Sequence, residues 1–290
     1  MIHTINNGII ELSVADSGGE MMSIKYTDAE YLWQGDPQYW DERAINLFPV
    51  NGRLKDGKYT YEGNSYKMGI HGFIKRSILE CVEKTDNSMI FELKSNEMTR
   101  AEYPFEFLYR VGYELKDNSI VITYNVENLQ SKPIYFCLGG HPGFNVPLDG
   151  AGEFSDYYLE FDCVAQLKRI GFDKACLLSG EKFPYSLKDG RILPLAHSLF
   201  DDDAIFFEDM CSAITLRSAI TERSVRVDYK DMKYLGLWHK PRSDAPYICI
   251  EPWQAMPSYG DRIDDITTKQ DVIALNKGEI YQNAWSIALT

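Results

Sequence analysis

The sequence predicts an all-β fold, a sandwich or barrel of short antiparallel strands, on three observations. The dominant hydrophobic period is two, compact turns rich in Gly, Asn and Asp separate the strand-like runs, and long stretches with apolar residues at helical spacing are hard to find. Aromatic residues make up 13% of the chain, 19 of them Tyr, and these types favour a pleated, half-buried surface.

The clearest strand runs from Phe105 to Leu115, where Phe105, Phe107, Tyr109, Val111, Tyr113 and Leu115 share one face and Glu106, Arg110 and Glu114 mark the other. Lys116-Asp117-Asn118-Ser119 supplies a turn, and Ile120, Ile122, Tyr124 and Val126 resume the alternation, so the two runs form a hairpin. Similar units recur. Lys58 to Met68 folds back at Glu62-Gly63-Asn64, Ile9 to Val14 reaches a turn at Asp16-Ser17-Gly18-Gly19, and Ala213 to Leu216 pairs with Ser224 to Tyr229. Asp36 to Ala44 and Ala196 to Asp201 are expected as brief helical turns. No low-complexity linker or repeat divides the chain, so residues 1–290 are expected to form a single domain.

With 30 Lys and Arg against 43 Asp and Glu, the net charge of −13 repels phosphate backbones and anionic lipid, which argues against nucleic acid and membrane partners. The N-terminus, Met1-Ile2-His3-Thr4-Ile5-Asn6, lacks a basic segment and an apolar signal run, and no stretch is long enough to span a bilayer. A cytoplasmic location is the expectation. Cys81, Cys137, Cys163, Cys176, Cys211 and Cys249 form no C-x-x-C pair, and they are expected as buried free thiols in a reducing compartment.

Five histidines bound the search for chemistry. His3 at the terminus and His197 before an acidic run are expected to face solvent, while His239 ends the apolar run Leu235-Gly236-Leu237-Trp238 and has a pocket-lining reading beside the bland one. His71 and His141 stand beside glycine or proline, in Gly69-Ile70-His71-Gly72-Phe73 and Gly139-Gly140-His141-Pro142-Gly143-Phe144-Asn145. Backbone of that kind turns sharply and admits a ligand to the main chain; the alternative is a histidine that hydrogen-bonds a turn. Glu251 comes after Tyr247-Ile248-Cys249-Ile250, so poor solvation would fit it for general-base work, unless it pairs with a core arginine. Arg53, between Gly52 and Leu54, reads either as a donor to ligand hydroxyls or as the partner of a buried acid. Asp201-Asp202-Asp203 reads as a solvated loop, and no ligand spacing beyond it would make it a metal site.

In order along the chain, Tyr31-Leu32-Trp33-Gln34-Gly35-Asp36-Pro37, Asn51-Gly52-Arg53-Leu54, Ile70-His71-Gly72-Phe73, Gly139-Gly140-His141-Pro142-Gly143-Phe144-Asn145 and Ile250-Glu251-Pro252-Trp253 resemble the aldose 1-epimerase (galactose mutarotase) family, in its LacX-like bacterial branch. The resemblance runs nearly end to end. It implies a large antiparallel β-sandwich, the galactose mutarotase-like supersandwich, which agrees with the period-two reading. It places His141 at the family's general acid, Glu251 at its general base, and Arg53 and His71 at its substrate-binding arginine and histidine. A sugar-contacting aspartate falls in Asp201–Asp203, with Asp203 favoured, and Trp238, Trp253 and Phe144 are the candidates to stack on the sugar, Trp238 being taken as the substrate-binding one. Gly-His-Pro-Gly-Phe-Asn stands where the best-known members carry Asn-His-x-Tyr-Phe-Asn, and Pro252-Trp253 differs from the residues after their base.

The resemblance implies anomer interconversion of an aldohexose without cofactor or metal, by a monomer or homodimer whose partner is a small sugar. A hexose 6-phosphate substrate is the alternative, with Lys55, Lys75, Arg76, Lys240 and Arg242 as its candidate cations. Non-catalytic carbohydrate binding is a second. Glycoside hydrolysis fits less well, because it wants two placed carboxylates.

Overall fold

The predicted hairpin forms the middle of the larger sheet. In the computed structural model, which describes residues 1–208 and 210–290, Phe107–Lys116 and Ser119–Asn128 pair antiparallel and close on Lys116 opposite Ser119. Burial along Ser119–Asn128 alternates strictly, as one solvated and one core-facing side require. Among the described residues this sheet has nine strands, running from Ile192–Pro194 at one edge through Ile280–Leu289 and the hairpin to Glu80–Lys84 at the other.

A seven-stranded sheet packs against it, in the spatial order Leu178–Tyr185, Leu167–Phe172, Ile205–Glu208, Tyr234–Trp238, Tyr247–Trp253, Gly139–Asn145 and Ala44–Leu47. The N-terminal residues add a four-stranded sheet, and every ladder between named strands is antiparallel, so the β-sandwich expectation holds. The two large sheets meet through aromatic rings, such as Phe48 against Phe107 and Tyr109 at 5.3 and 5.0 Å between centroids. Polar ties cross the same layer: Tyr124 Oη donates to Asn46 Oδ1 at 2.9 Å, and Asn46 Nδ2 lies 3.0 Å from Tyr113 Oη. Buried hydroxyls and amides satisfied in this way fix how one sheet sits on the other.

Both brief helical turns are present: the Tyr39 and Trp40 amides donate to Asp36 O at 2.9 Å, and His197–Phe200 forms a 3-10 helix. Two expectations need correction. The α-helix Glu97–Glu102 lies outside the predicted elements; Asn96 caps it by accepting from the Thr99 amide, a local signal too short to show helical periodicity. Finally, the cysteines are not all free thiols, because the chain brings the Cα atoms of Cys163 and Cys211 to 5.7 Å and the two form a disulfide. Cys137 and Cys249 are buried free thiols as expected, while Cys81 and Cys176 are only partly buried. No helix of the described residues is long and apolar enough to cross a membrane.

Candidate functional site

The register of two neighbouring strands brings the main candidates together. Gly139 lies opposite Trp253 and Gly143 opposite Cys249, so the same register sets His141 opposite Glu251. Cross-strand partners have their side chains on one face, and His141 Nε2 lies 3.3 Å from Glu251 Oε2. The local sequence makes room for this. A Cβ on Gly140 would come 2.5 Å from the Trp285 ring, and one on Gly143 would come 3.1 Å from Trp40, so the flanking glycines serve close packing. The sharp turn expected at His141 is therefore absent, since the residue sits inside the strand Gly139–Asn145.

At His71 the turn is present. His71 has φ 63° and Gly72 φ 76°, and a Cβ on Gly72 would collide with the Phe48 carbonyl oxygen at 2.1 Å. The His71 amide donates to Gly52 O at 2.9 Å, and the Gly52 amide donates to His71 Nδ1 at 3.2 Å. That bond assigns Nδ1 as acceptor and leaves Nε2–H as the donor of a neutral imidazole. Asn51 ties this loop to the pair, because its Nδ2 donates to Leu138 O at 2.8 Å and Ala255 O at 3.0 Å, beside the strands that carry His141 and Glu251.

His71, His141 and Glu251 line a cavity of about 310 Å³ together with Arg53, Asp203, Trp238, Trp253, Trp40, Phe172 and Phe206. Glu251 is 1% exposed and His141 7%, and burial acts on both. It lowers the His141 imidazole from 6.5 to about 3 and raises the Glu251 carboxyl well above 4.5, with the charge of Asp203 adding to the latter. His71 is likewise held well below 6.5, by burial first and then by the charges of His141, Lys75 and Arg53. Burial thus opposes charge on each member of the His141–Glu251 contact and favours a neutral imidazole beside a protonated carboxyl, whose proton could pass between them.

Asp203 is held from three sides. Its Oδ1 accepts from Trp238 Nε1 at 2.8 Å and from the Ala204 amide at 2.9 Å, and its Oδ2 accepts from the Cys176 thiol at 3.0 Å. Burial and the neighbouring carboxylate push that thiol up to about 11, so it remains a donor. Donor atoms of His141, Cys249 and Glu251 lie within 4.8 Å of one another, but burial favours the protonated forms of the thiol and the carboxyl, which are poor metal ligands.

A family model described as aldose 1-epimerase matches residues 1–288. The chain belongs to the aldose 1-epimerase family. It is 33% identical over 261 residues to the chromosomal LacX protein of Lactococcus lactis subsp. lactis, covering 87% of each chain. A galactose mutarotase related enzyme from Lactobacillus acidophilus superposes with a TM-score of 0.95 at 33% identity, over 100% of this chain and 97% of that one. A galactose mutarotase-like protein from Lactobacillus casei gives 0.94 at 30% identity, over 100% of both.

In this aldose 1-epimerase family member, all six sequence-predicted site residues, Arg53, His71, His141, Asp203, Trp238 and Glu251, line a single cavity. Trp253 joins them, whereas Phe144 is fully buried in the core and leaves the set of stacking candidates. His239 is fully buried away from the cavity, bonding Lys240 O at 2.7 Å and His197 at 3.2 Å. Neither His3 nor His197 is simply solvent-facing. His3 pairs with Asp16 at 2.7 Å, and His197 stacks on Phe154 at 4.1 Å. Sequence reasoning missed Trp40, Glu42, Cys176, Phe172 and Phe206. Of these only Trp40 carried a usable signal, as a tryptophan a few residues past the family-like segment ending at Pro37.

Proposed function

We propose that the protein interconverts the α and β anomers of an aldohexose by general acid–base ring opening and closure. One observation carries this reading: a buried imidazole and carboxyl in contact at 3.3 Å within a sugar-sized cavity. Transfer of the shared proton from Glu251 to His141 creates a carboxylate base and an imidazolium acid without changing the net charge. The carboxylate takes the proton of the anomeric hydroxyl while the C1 to ring-oxygen bond breaks and the imidazolium protonates the ring oxygen. The products are the open-chain aldehyde, a neutral imidazole and a carboxylic acid, which is the protonation state that burial favours. Rotation about the C1–C2 bond offers the other carbonyl face, and the reverse transfers close the ring.

Arg53 and the Nε2–H of His71 supply donors for ring hydroxyls and for charge developing at the ring oxygen, and Asp203 supplies an acceptor. Trp238 and Trp253 offer faces for the apolar side of the pyranose.

The lining supports a neutral sugar over a hexose phosphate. Among the described residues it holds four carboxylates, Glu42, Asp173, Asp202 and Asp203, beside Glu251, whose charge burial opposes, against two cations, Arg53 and Lys75. Of the candidate phosphate-binding cations only Lys75 reaches the cavity. Arg76 pairs instead with Glu102 at 3.1 Å, and Lys240 Nζ donates to Gln38 O at 2.5 Å. The retained acid–base pair also favours catalysis over binding alone.

The test is to follow the optical rotation of freshly dissolved α-glucose and α-galactose with purified protein. Glu251→Gln and His141→Asn are each expected to lower the rate by about two or more orders of magnitude. Near-normal turnover in either variant removes that residue from its role. Tight sugar binding with anomer exchange at the buffer rate would instead support the binding-protein alternative.

A further inference from the structure

We propose that Glu42 and Lys75 form a subsite that reads one hydroxyl of the sugar and so sets which neutral aldose the enzyme prefers. The inference rests on the cavity being a sugar site. Lys75 lies in the 3-10 turn Ile74–Arg76, just after the left-handed His71-Gly72, and Glu42 lies in the loop after Trp40. Lys75 Nζ is 2.9 Å from Glu42 Oε1 and 3.2 Å from Oε2, and Trp40 Nε1 donates to the same Oε2 at 3.3 Å. The Lys75 side chain is only 14% exposed, against the roughly half-exposed lysines that pair elsewhere on this surface, such as Lys182 at 46%. All three residues line the cavity, and the Trp40 ring lies 4.9 Å from the His141 ring, so the pair borders the acid–base centre.

The chemistry of the pair selects its ligand. An ammonium has three donors and no acceptor, and a carboxylate has acceptors only. A phosphate or carboxylate approaching Lys75 is repelled by Glu42, and a cation approaching Glu42 is repelled by Lys75. A hydroxyl accepts from Lys75 and donates to Glu42, so it satisfies both at once. The indole of Trp40 restrains the carboxylate, which keeps this acceptor and donor at a fixed spacing. A site that bonds a hydroxyl discriminates against analogues that lack it, because they lose the hydrogen bonds to both Lys75 and Glu42.

The test uses the full-length protein with glucose, galactose and their monodeoxy derivatives. Wild type is expected to lose about tenfold or more in kcat/KM on one monodeoxy derivative. Lys75→Met and Glu42→Gln should each show a similar loss on the parent sugar, mainly in KM, and little further loss on that derivative. Glu42→Gln should also let glucose 6-phosphate compete more strongly, since the Lys75 charge is then uncompensated. Lys75→Gln and thermal melts of all variants separate recognition from misfolding. Unchanged KM in folded Lys75→Met, or an equal loss on every derivative, overturns the subsite while leaving the catalytic reading intact. Should wild type show no anomer exchange, the catalytic reading fails, and calorimetric binding of the same sugar series decides the subsite by the same criteria.

Discussion

Gly236 stands directly opposite Glu251 in the ladder between Tyr234–Trp238 and Tyr247–Trp253, where a Cβ would fall 2.5 Å from the Phe206 ring and 3.2 Å from Glu251 Cβ. The missing side chain is what lets an aromatic ring and the carboxyl-bearing residue share that space. Gly236→Ala is expected to destabilise by about 1–3 kcal/mol through overpacking. Displacement of Glu251 should also lower turnover on the order of tenfold or more. Thermal melting and optical rotation check the two effects separately, and a destabilised variant with full turnover would show that Phe206 alone moves.

The proposed acid–base pair also implies a pH dependence. On that proposal, productive enzyme holds one transferable proton on His141 and Glu251 together. A second proton is added only as pH falls toward the His141 value of about 3, and the last is removed only as pH rises past a Glu251 value held well above 4.5. The kcat/KM is therefore expected to show no acidic fall down through pH of about 5, where an ordinary imidazole would already be charged. An acidic limb centred near 6.5 would contradict burial as the controlling influence on His141.

The same shifts cost stability. Because the folded Glu251 carboxyl sits above its unfolded value of 4.5, the unfolded chain binds fewer protons over that interval, and stability falls as pH rises through it. For His141 the folded value lies below 6.5, so the unfolded chain binds more protons and stability falls as pH drops from 6.5 toward 3. Glu251→Gln removes the first cost. It should melt higher than wild type by about 2 °C or more at neutral pH, with a gap that narrows near pH 4.5, while losing turnover. Differential scanning calorimetry at several pH values measures this, and a gap independent of pH would assign the gain to something other than titration.

The strand architecture is legible in the sequence because alternation such as Ile120, Ile122, Tyr124 and Val126 is a local property that the pleat converts directly into burial. The six candidate site residues that line the cavity are legible through short motifs whose order matches a family, and not through periodicity. Features that depend on chain return stay hidden. That His141 lies across from Glu251 comes from the pairing of strands distant in sequence, and nothing local to Pro142 or Pro252 encodes it. Glu42 looks like an ordinary surface charge until the fold puts it beside Lys75 on one wall. The Cys163–Cys211 bond joins segments after two strands that belong to different sheets, so spacing in the sequence offers no clue.

Trp238 presents a last separable role. Its ring lines the cavity, while its Nε1 donates to Asp203 Oδ1 at 2.8 Å. Trp238→Phe keeps an aromatic face and deletes the donor, leaving Asp203 held by the Ala204 amide and the Cys176 thiol. Since Asp203 is proposed to hold a hydroxyl and not to transfer a proton, a loosened Asp203 should raise KM several-fold with a smaller effect on kcat. The charge of Asp203 also helps to raise the Glu251 carboxyl, so Asp203→Asn should move the alkaline limb of the pH profile downward, whereas Trp238→Phe should leave it in place. Steady-state rates across pH for the two variants separate Asp203 as a hydroxyl acceptor from Asp203 as an electrostatic neighbour, and a large kcat loss in Trp238→Phe would instead place the indole at the reacting atoms.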